Sequence, residues 1–169
     1  MGGIFALKVC VYAICKNESQ FVDRFMDSMS EADYVCVLDT GSSDDTVKKL
    51  RARGAIVGET VVSPWRFDTA RNESLGLIPA DADICCAFDL DEQFHPGWRA
   101  ALERAWQPDT TRARYRYTWS FRPDGSEGMV FWADKIHKNG CYRWASPVHE
   151  TLAYTGEGAE RFVDAAGVQ

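Results

Sequence analysis

The 169-residue chain has no apolar run of the ~18 residues that a membrane-spanning helix needs. It has no internal repeat, no low-complexity tract, no obvious linker and no cysteine pair at CxxC spacing. It also lacks a basic surplus: 19 Lys and Arg face 25 Asp and Glu, a formal net charge of −6. The first absence excludes a helical membrane span. The last argues against nonspecific nucleic-acid binding, which rests on a basic surface. The stretch 4–15 is apolar, but Lys8 interrupts it and no basic start or small-residue cleavage site frames it, so it reads poorly as a signal peptide. Most of the six cysteines sit inside apolar runs, where a thiol acts as a small buried hydrophobe. We therefore expect free thiols and a cytoplasmic protein.

What is present is ordinary globular composition, 46% hydrophobic and 26% charged. Short apolar runs alternate with helical spacing. Val9–Cys15, Tyr34–Leu38, Ala55–Val57 and Ile84–Phe88 read as strands. Between them, Phe21, Val22, Phe25, Met26 and Met29 recur at helical spacing. Asp45–Arg53 and Asp68–Leu77 read as further helices, with Asp68 as N-cap, and Pro96-Gly97 opens another. Strands apolar on both faces and separated by amphipathic helices imply an α/β fold with a mostly parallel sheet covered on both sides. We assign that half to residues 1–107. Residues 108–155 form a smaller β-rich part of the same domain, with a hairpin turning at Pro123-Asp124-Gly125, and 156–169 form a poorly patterned tail. His95 and His137 have no evident partner and are placed at the surface. The alternating Arg112, Arg114 and Arg116 read as one face of a solvated edge strand.

Three of the apolar runs end in acid-rich tips: Lys16-Asn17-Glu18, Asp39-Thr40-Gly41-Ser42-Ser43-Asp44, and Asp89-Leu90-Asp91-Glu92. Ligands of open parallel sheets bind beyond the strands' carboxyl ends. In extended chain, Asp89 and Asp91 point the same way. Two adjacent carboxylates want a cation between them, and oxygen donors favour Mg2+ or Mn2+. Such an ion could hold a diphosphate and stabilise it as a leaving group. Arg71 offers a rigid fork suited to phosphate oxygens.

In these segments the chain resembles the family 2 glycosyltransferases, which have the nucleotide-sugar-binding GT-A fold. The matching stretches are Ala13-Ile14-Cys15-Lys16-Asn17-Glu18, Leu38 to Thr46, Ala70-Arg71-Asn72, Phe88 to Glu92, Tyr142-Arg143-Trp144 and Val148-His149-Glu150. The resemblance implies a metal-dependent, inverting transfer of a sugar from a nucleotide-diphosphate donor to an unidentified acceptor hydroxyl. It places Ala13, Asn17 and Glu18 along the nucleotide, Asp39 on the base or ribose, and Arg71 near the base or diphosphate. Asp89 and Asp91 would grip the diphosphate through Mn2+ or Mg2+, with His149 as a further metal ligand. Glu150 is the candidate base and Glu92 the reserve.

The region after Asp91 is short for this fold. Either the protein is a minimal enzyme, or a second subunit of a homo-oligomer completes the site, or the chain binds nucleotide sugars without turning them over. Leu38-Asp39-Thr40-Gly41-Ser42-Ser43 also matches an aspartic-protease loop. That chemistry needs a second Asp-Thr/Ser-Gly and an all-β fold, and the sequence offers neither.

Overall fold

The computed structural model describes residues 7–168, so the part of the 4–15 stretch before residue 7 lies outside the described residues. The alternation of apolar runs and helical spacing is realised as four βα units: β1 (Val9–Cys15), α1 (Val22–Ser28), β2 (Tyr34–Asp39), α2 (Thr46–Ala52), β3 (Ile56–Glu59), α3 (Phe67–Leu75), β4 (Ile84–Ala87) and α4 (Trp98–Ala105). β5 (Arg112–Thr118), β6 (Val130–Lys138), β7 (Tyr142–Ala145), β8 (Thr151–Tyr154) and β9 (Phe162–Asp164) follow. Among the described residues, seven strands form one sheet in the order β3-β2-β1-β4-β6-β5-β9, and β7 and β8 pair as a separate ribbon. The strands β3, β2, β1 and β4 run parallel, and β6 enters antiparallel to β4. The sheet thus runs unbroken from the α/β half into the β-rich half.

Every residue of β1 is buried, because both faces of the sheet are covered. Val9, Val11 and Ala13 face one core, which α1, α2 and α4 close with Val22, Phe25, Leu50, Trp98 and Leu102. Cys10 and Tyr12 face the other, which the β7–β8 ribbon closes with Tyr142, Trp144 and Leu152. All six cysteines are free; five are buried and Cys141 is half-buried. Among the described residues no helix is long and apolar enough to cross a membrane.

Four expectations need correction. Asp68 does not cap α3: Arg66 holds the N-cap position, and the Asp68 carboxylate is taken by the Arg66 guanidinium (3.0 and 2.7 Å) and the Thr69 N–H. The segment read as an unpatterned tail contributes β9, which pairs in parallel with β5, and Ala165 and Val168 are buried in the main core. Along Arg112–Arg114, β5 is therefore not a sheet edge. Its arginines are ion-paired: Arg112 with Asp134 and Glu160, Arg114 with Asp164, and Arg116 with Glu127.

His137 is the fourth. It is 1% exposed, not superficial. Its Nδ1 lies 3.1 Å from the Lys138 carbonyl, which can only accept, so Nδ1 carries the proton and donates. Nε2 then accepts from the Tyr12 hydroxyl at 2.8 Å, and that hydroxyl accepts from the Trp144 indole N–H at 3.0 Å. This relay ties β6, β1 and β7 together inside the second core. Burial depresses the imidazole pKa from 6.5 to about 4.

Candidate active site

The parallel register sets the strand ends side by side: Cys15 opposite Asp39, and Tyr12 opposite Ala87. The chain continues past β4 along β1, with the Phe88 N–H donating to the Tyr12 carbonyl, and so carries Asp89 and Asp91 to the rim. A cavity of about 350 Å³ opens there. Its walls include Glu18 from the β1 tip, Asp89 and Asp91 from the β4 tip, Arg71 from α3, Glu150 from the β7–β8 loop, and the rings of Trp65 and Phe67.

Arg71 organises this cavity. It is 3% exposed and lies 5.4 Å over the Trp144 ring. Nη2 donates to Asp89 Oδ1 at 2.6 Å and Nε to Glu150 Oε1 at 3.2 Å. Nη1 is buried and has no hydrogen-bond partner among the described residues. An unsatisfied guanidinium nitrogen beside an acid-lined cavity is costly in a protein standing alone and useful to one that binds an anion. Burial alone would raise the Asp89 carboxyl; Arg71 and Lys135 outweigh it and hold Asp89 below the ordinary carboxylate range. At Glu18, burial and the charges of Asp89 and Asp91 outweigh the pull of Arg71 and push it up to about 7.

Other expected residues sit elsewhere. Ala13 is wholly buried in the sheet; Ile14 and Cys15 reach the cavity instead. Asn17 holds a left-handed turn at φ 57° and bridges two loops. Its N–H donates to Ser42 Oγ at 2.7 Å, and its Oδ1 accepts from the Ser43 N–H at 2.7 Å. Asp39 is buried and does not line the cavity. Its Oδ1 accepts from the Gly41 and Ser42 N–H groups (2.9 and 2.8 Å), and its Oδ2 accepts from the Ser42 hydroxyl and the Cys15 thiol. Its carboxylate thus closes the β2 turn. Gly41 permits that turn, with φ at 108°.

His149 is exposed at φ 56° and lines none of the cavities described here. Among the described residues no group of three or more His, Cys, Asp or Glu is arranged to hold a metal, so the expected trio of Asp89, Asp91 and His149 is not assembled. The acidic corner still suits a hard divalent ion. No described residue pairs with the Asp91 carboxylate, and Mg2+-type ions are commonly held by one or two carboxylates, with substrate phosphates and waters supplying the rest.

Glu92 faces away from this cavity, into two others beyond the Asp89–Asp91 corner. Its Oε2 accepts the Asp89 N–H at 2.9 Å and its Oε1 lies 3.6 Å from Lys135 Nζ. Burial raises its pKa against the pull of Lys135. Sequence reading misses Lys135 as a site residue and gives Trp65 a packing role ahead of stacking on sugar or base. Only the alternation along β6 signalled Lys135, and only the Pro64-Trp65-Arg66-Phe67 loop signalled Trp65.

No family model matches the chain. Solved structures do resemble it. Glucosyl-3-phosphoglycerate synthase from Mycobacterium tuberculosis, in complex with Mn2+, UDP and glucosyl-3-phosphoglycerate, superposes with a TM-score of 0.52 at 23% identity, over 69% of this chain and 45% of that one. The same enzyme with UDP alone gives 0.54 at 24% identity, over the same shares. Mannosyl-3-phosphoglycerate synthase from Rubrobacter xylanophilus gives 0.54 at 18% identity, over 66% and 40%. The chain spans less than half the length of each. Sheet order, strand-end cavity and these superpositions agree: the protein has a GT-A-like α/β fold.

Proposed function

We propose that the protein is a glycosyltransferase that moves a sugar from a nucleotide-diphosphate donor to an acceptor hydroxyl, with inversion. The observation that carries this reading is the buried, half-satisfied Arg71 beside Glu18, Asp89 and Asp91 in one strand-end cavity. The donor occupies that cavity. Trp65 and Phe67 offer ring faces to the base, and Arg71, which lines the cavity, offers its charge to the diphosphate. Asp91 and Asp89 would hold Mn2+ or Mg2+. When bound, the ion offsets the charge that collects on the departing diphosphate.

The acceptor oxygen forms the new bond to the anomeric carbon, the bond from that carbon to phosphate breaks, and its electron pair leaves with the diphosphate. The acceptor proton needs a base. Both candidates are engaged, Glu150 by Arg71 on the donor side and Glu92 by the Asp89 N–H and Lys135, so their placement decides. Glu92 opens onto the adjoining cavities, where an acceptor can reach it, so we assign the proton transfer to Glu92 and a positioning role to Glu150.

The test combines calorimetry with transfer assays. UDP binding should depend on Mn2+, and Asp91→Asn should weaken it at least tenfold; wild-type affinity in that variant would sink the metal assignment. Glu92→Gln should abolish transfer and leave UDP affinity intact. The same pattern from Glu150→Gln, with Glu92→Gln still active, would reverse the two roles. UDP binding without transfer from a panel of nucleotide sugars, unaltered by either variant, would point to a binding protein without turnover.

A further inference from the structure

Beyond the Asp89–Asp91 corner lie two adjoining cavities of about 350 and 470 Å³. They share Asp91, Glu92, Tyr117 and Trp119, and so form one groove. Its floor comes from the β5–β6 pairing. Tyr117 stands opposite Phe131 with ring centroids 5.3 Å apart, and Trp119 follows two residues on, on the same face. Phe121 adds a ring at the far end. These side chains stay open to solvent: Trp119 is 63% exposed, Phe121 65% and Phe131 43%. Clustered exposed rings beside carboxylates mark a binding surface rather than a core.

The charge in the groove narrows its occupant. Asp89, Asp91 and Glu92 supply three acids along the wall. The facing cation, Lys135, already lies 3.6 Å from Glu92 Oε1 and 4.0 Å from Asp89 Oδ2. Among the described residues no arginine lines either cavity. Arg116 is turned to the opposite face of β5 and paired with Glu127, and Arg24 lies over the Phe21 ring and donates to the Asp91 carbonyl. A phosphorylated or carboxylated ligand would meet three carboxylates against one lining lysine that two of them already engage. A nucleic-acid strand could stack its bases here, but its phosphates would face the same obstacle. A sugar ring has a neutral C–H face for the aromatic rings and a rim of hydroxyls that can donate to carboxylates.

We propose that this groove seats the acceptor, and that the acceptor is a neutral saccharide stacked on Trp119 and Phe131. The proposal rests on the donor reading above, since it places the acceptor hydroxyl next to Glu92.

The full chain, with UDP and Mn2+ present, would be applied to an array carrying neutral gluco-, galacto- and manno-configured oligosaccharides beside sialylated and phosphorylated ones. Calorimetry would follow with the best neutral glycan, 3-phosphoglycerate and a single-stranded DNA oligonucleotide. We expect retention on neutral glycans and no binding of the two anionic probes. Trp119→Ala and Phe131→Ala should each weaken glycan affinity at least tenfold and leave UDP affinity within twofold, which also shows that the variants fold. Preference for an acidic glycan, binding of 3-phosphoglycerate or the oligonucleotide, or glycan binding untouched in both variants would overturn the proposal. Wild-type UDP binding with no neutral glycan retained overturns the acceptor assignment alone. Absence of UDP binding overturns the donor reading and this assignment with it.

Discussion

The β1–β4 half and the β5–β6 hairpin are both rich in apolar side chains, and they spend them differently. In the first half the central strands keep theirs inside: β1 and β4 are buried along their whole length, and only their polar tips reach the rim. Toward the turn of the hairpin the strands run beyond the packed body, and the same kinds of residue line an open groove. Trp98 and Trp119 show the contrast. Trp98 is 0% exposed and stacks on Phe94 at 4.2 Å, whereas Trp119 is largely in solvent. The difference teaches that the parallel half sets where the acid-lined cavity opens, while the hairpin leaves its rings free to meet what lies outside.

Breaking the comparison at its strongest point, Trp98→Ala should cost about 3–5 kcal/mol in urea unfolding, because it empties a filled core site. A loss under about 1 kcal/mol would mean that the two tryptophans are not so different.

The next largest effect belongs to the junction between the halves. Folded His137 is neutral down to about pH 4, whereas the unfolded residue takes a proton below 6.5. Between these values the unfolded state binds more protons, so stability falls as pH falls. A proton on Nε2 also makes that nitrogen a donor and leaves the Tyr12 O–H without an acceptor. The loss should reach on the order of 3 kcal/mol across this window. It should be seen as a slope in chemical-denaturation stability that flattens in His137→Asn. An unchanged slope would remove His137 from the account.

The smallest effect is the sharpest complement. Trp119→Ala should shift unfolding stability by no more than about 0.5 kcal/mol, since it uncovers no core. A cost above about 2 kcal/mol would make Trp119 structural and weaken the case for an open groove.

The same contrast explains what was legible beforehand. Val9–Cys15 could be delimited from sequence because an uninterrupted apolar run has few other uses in an α/β chain, and Asp45–Arg53 because its spacing and Gly54 frame a helix. The acid tips at Glu18, Asp89 and Asp91 follow from those strands and converge on one cavity. The hairpin could be foreseen from Pro123-Asp124-Gly125, but its register could not. Whether Trp119 and Phe131 share a face, and whether Lys135 meets Glu92, depends on the Tyr117–Phe131 pairing, a long-range fact. His137 was misread because its partners, Tyr12 and Trp144, come from distant segments. Asp39 looked like a ligand because sequence shows a carboxylate at a strand end but not the Gly41 and Ser42 amides that claim it.

Arg71 clasps Asp89 with one nitrogen and Glu150 with another, so the resting cleft supplies its own counterion. A diphosphate reaching that guanidinium competes with Asp89 for the same positive charge. Each step by which Asp89 loses its hold on Arg71 makes it hungrier for a replacement. Donor and divalent ion would then arrive as a couple, each making room for the other, and neither would find the cleft as hospitable alone.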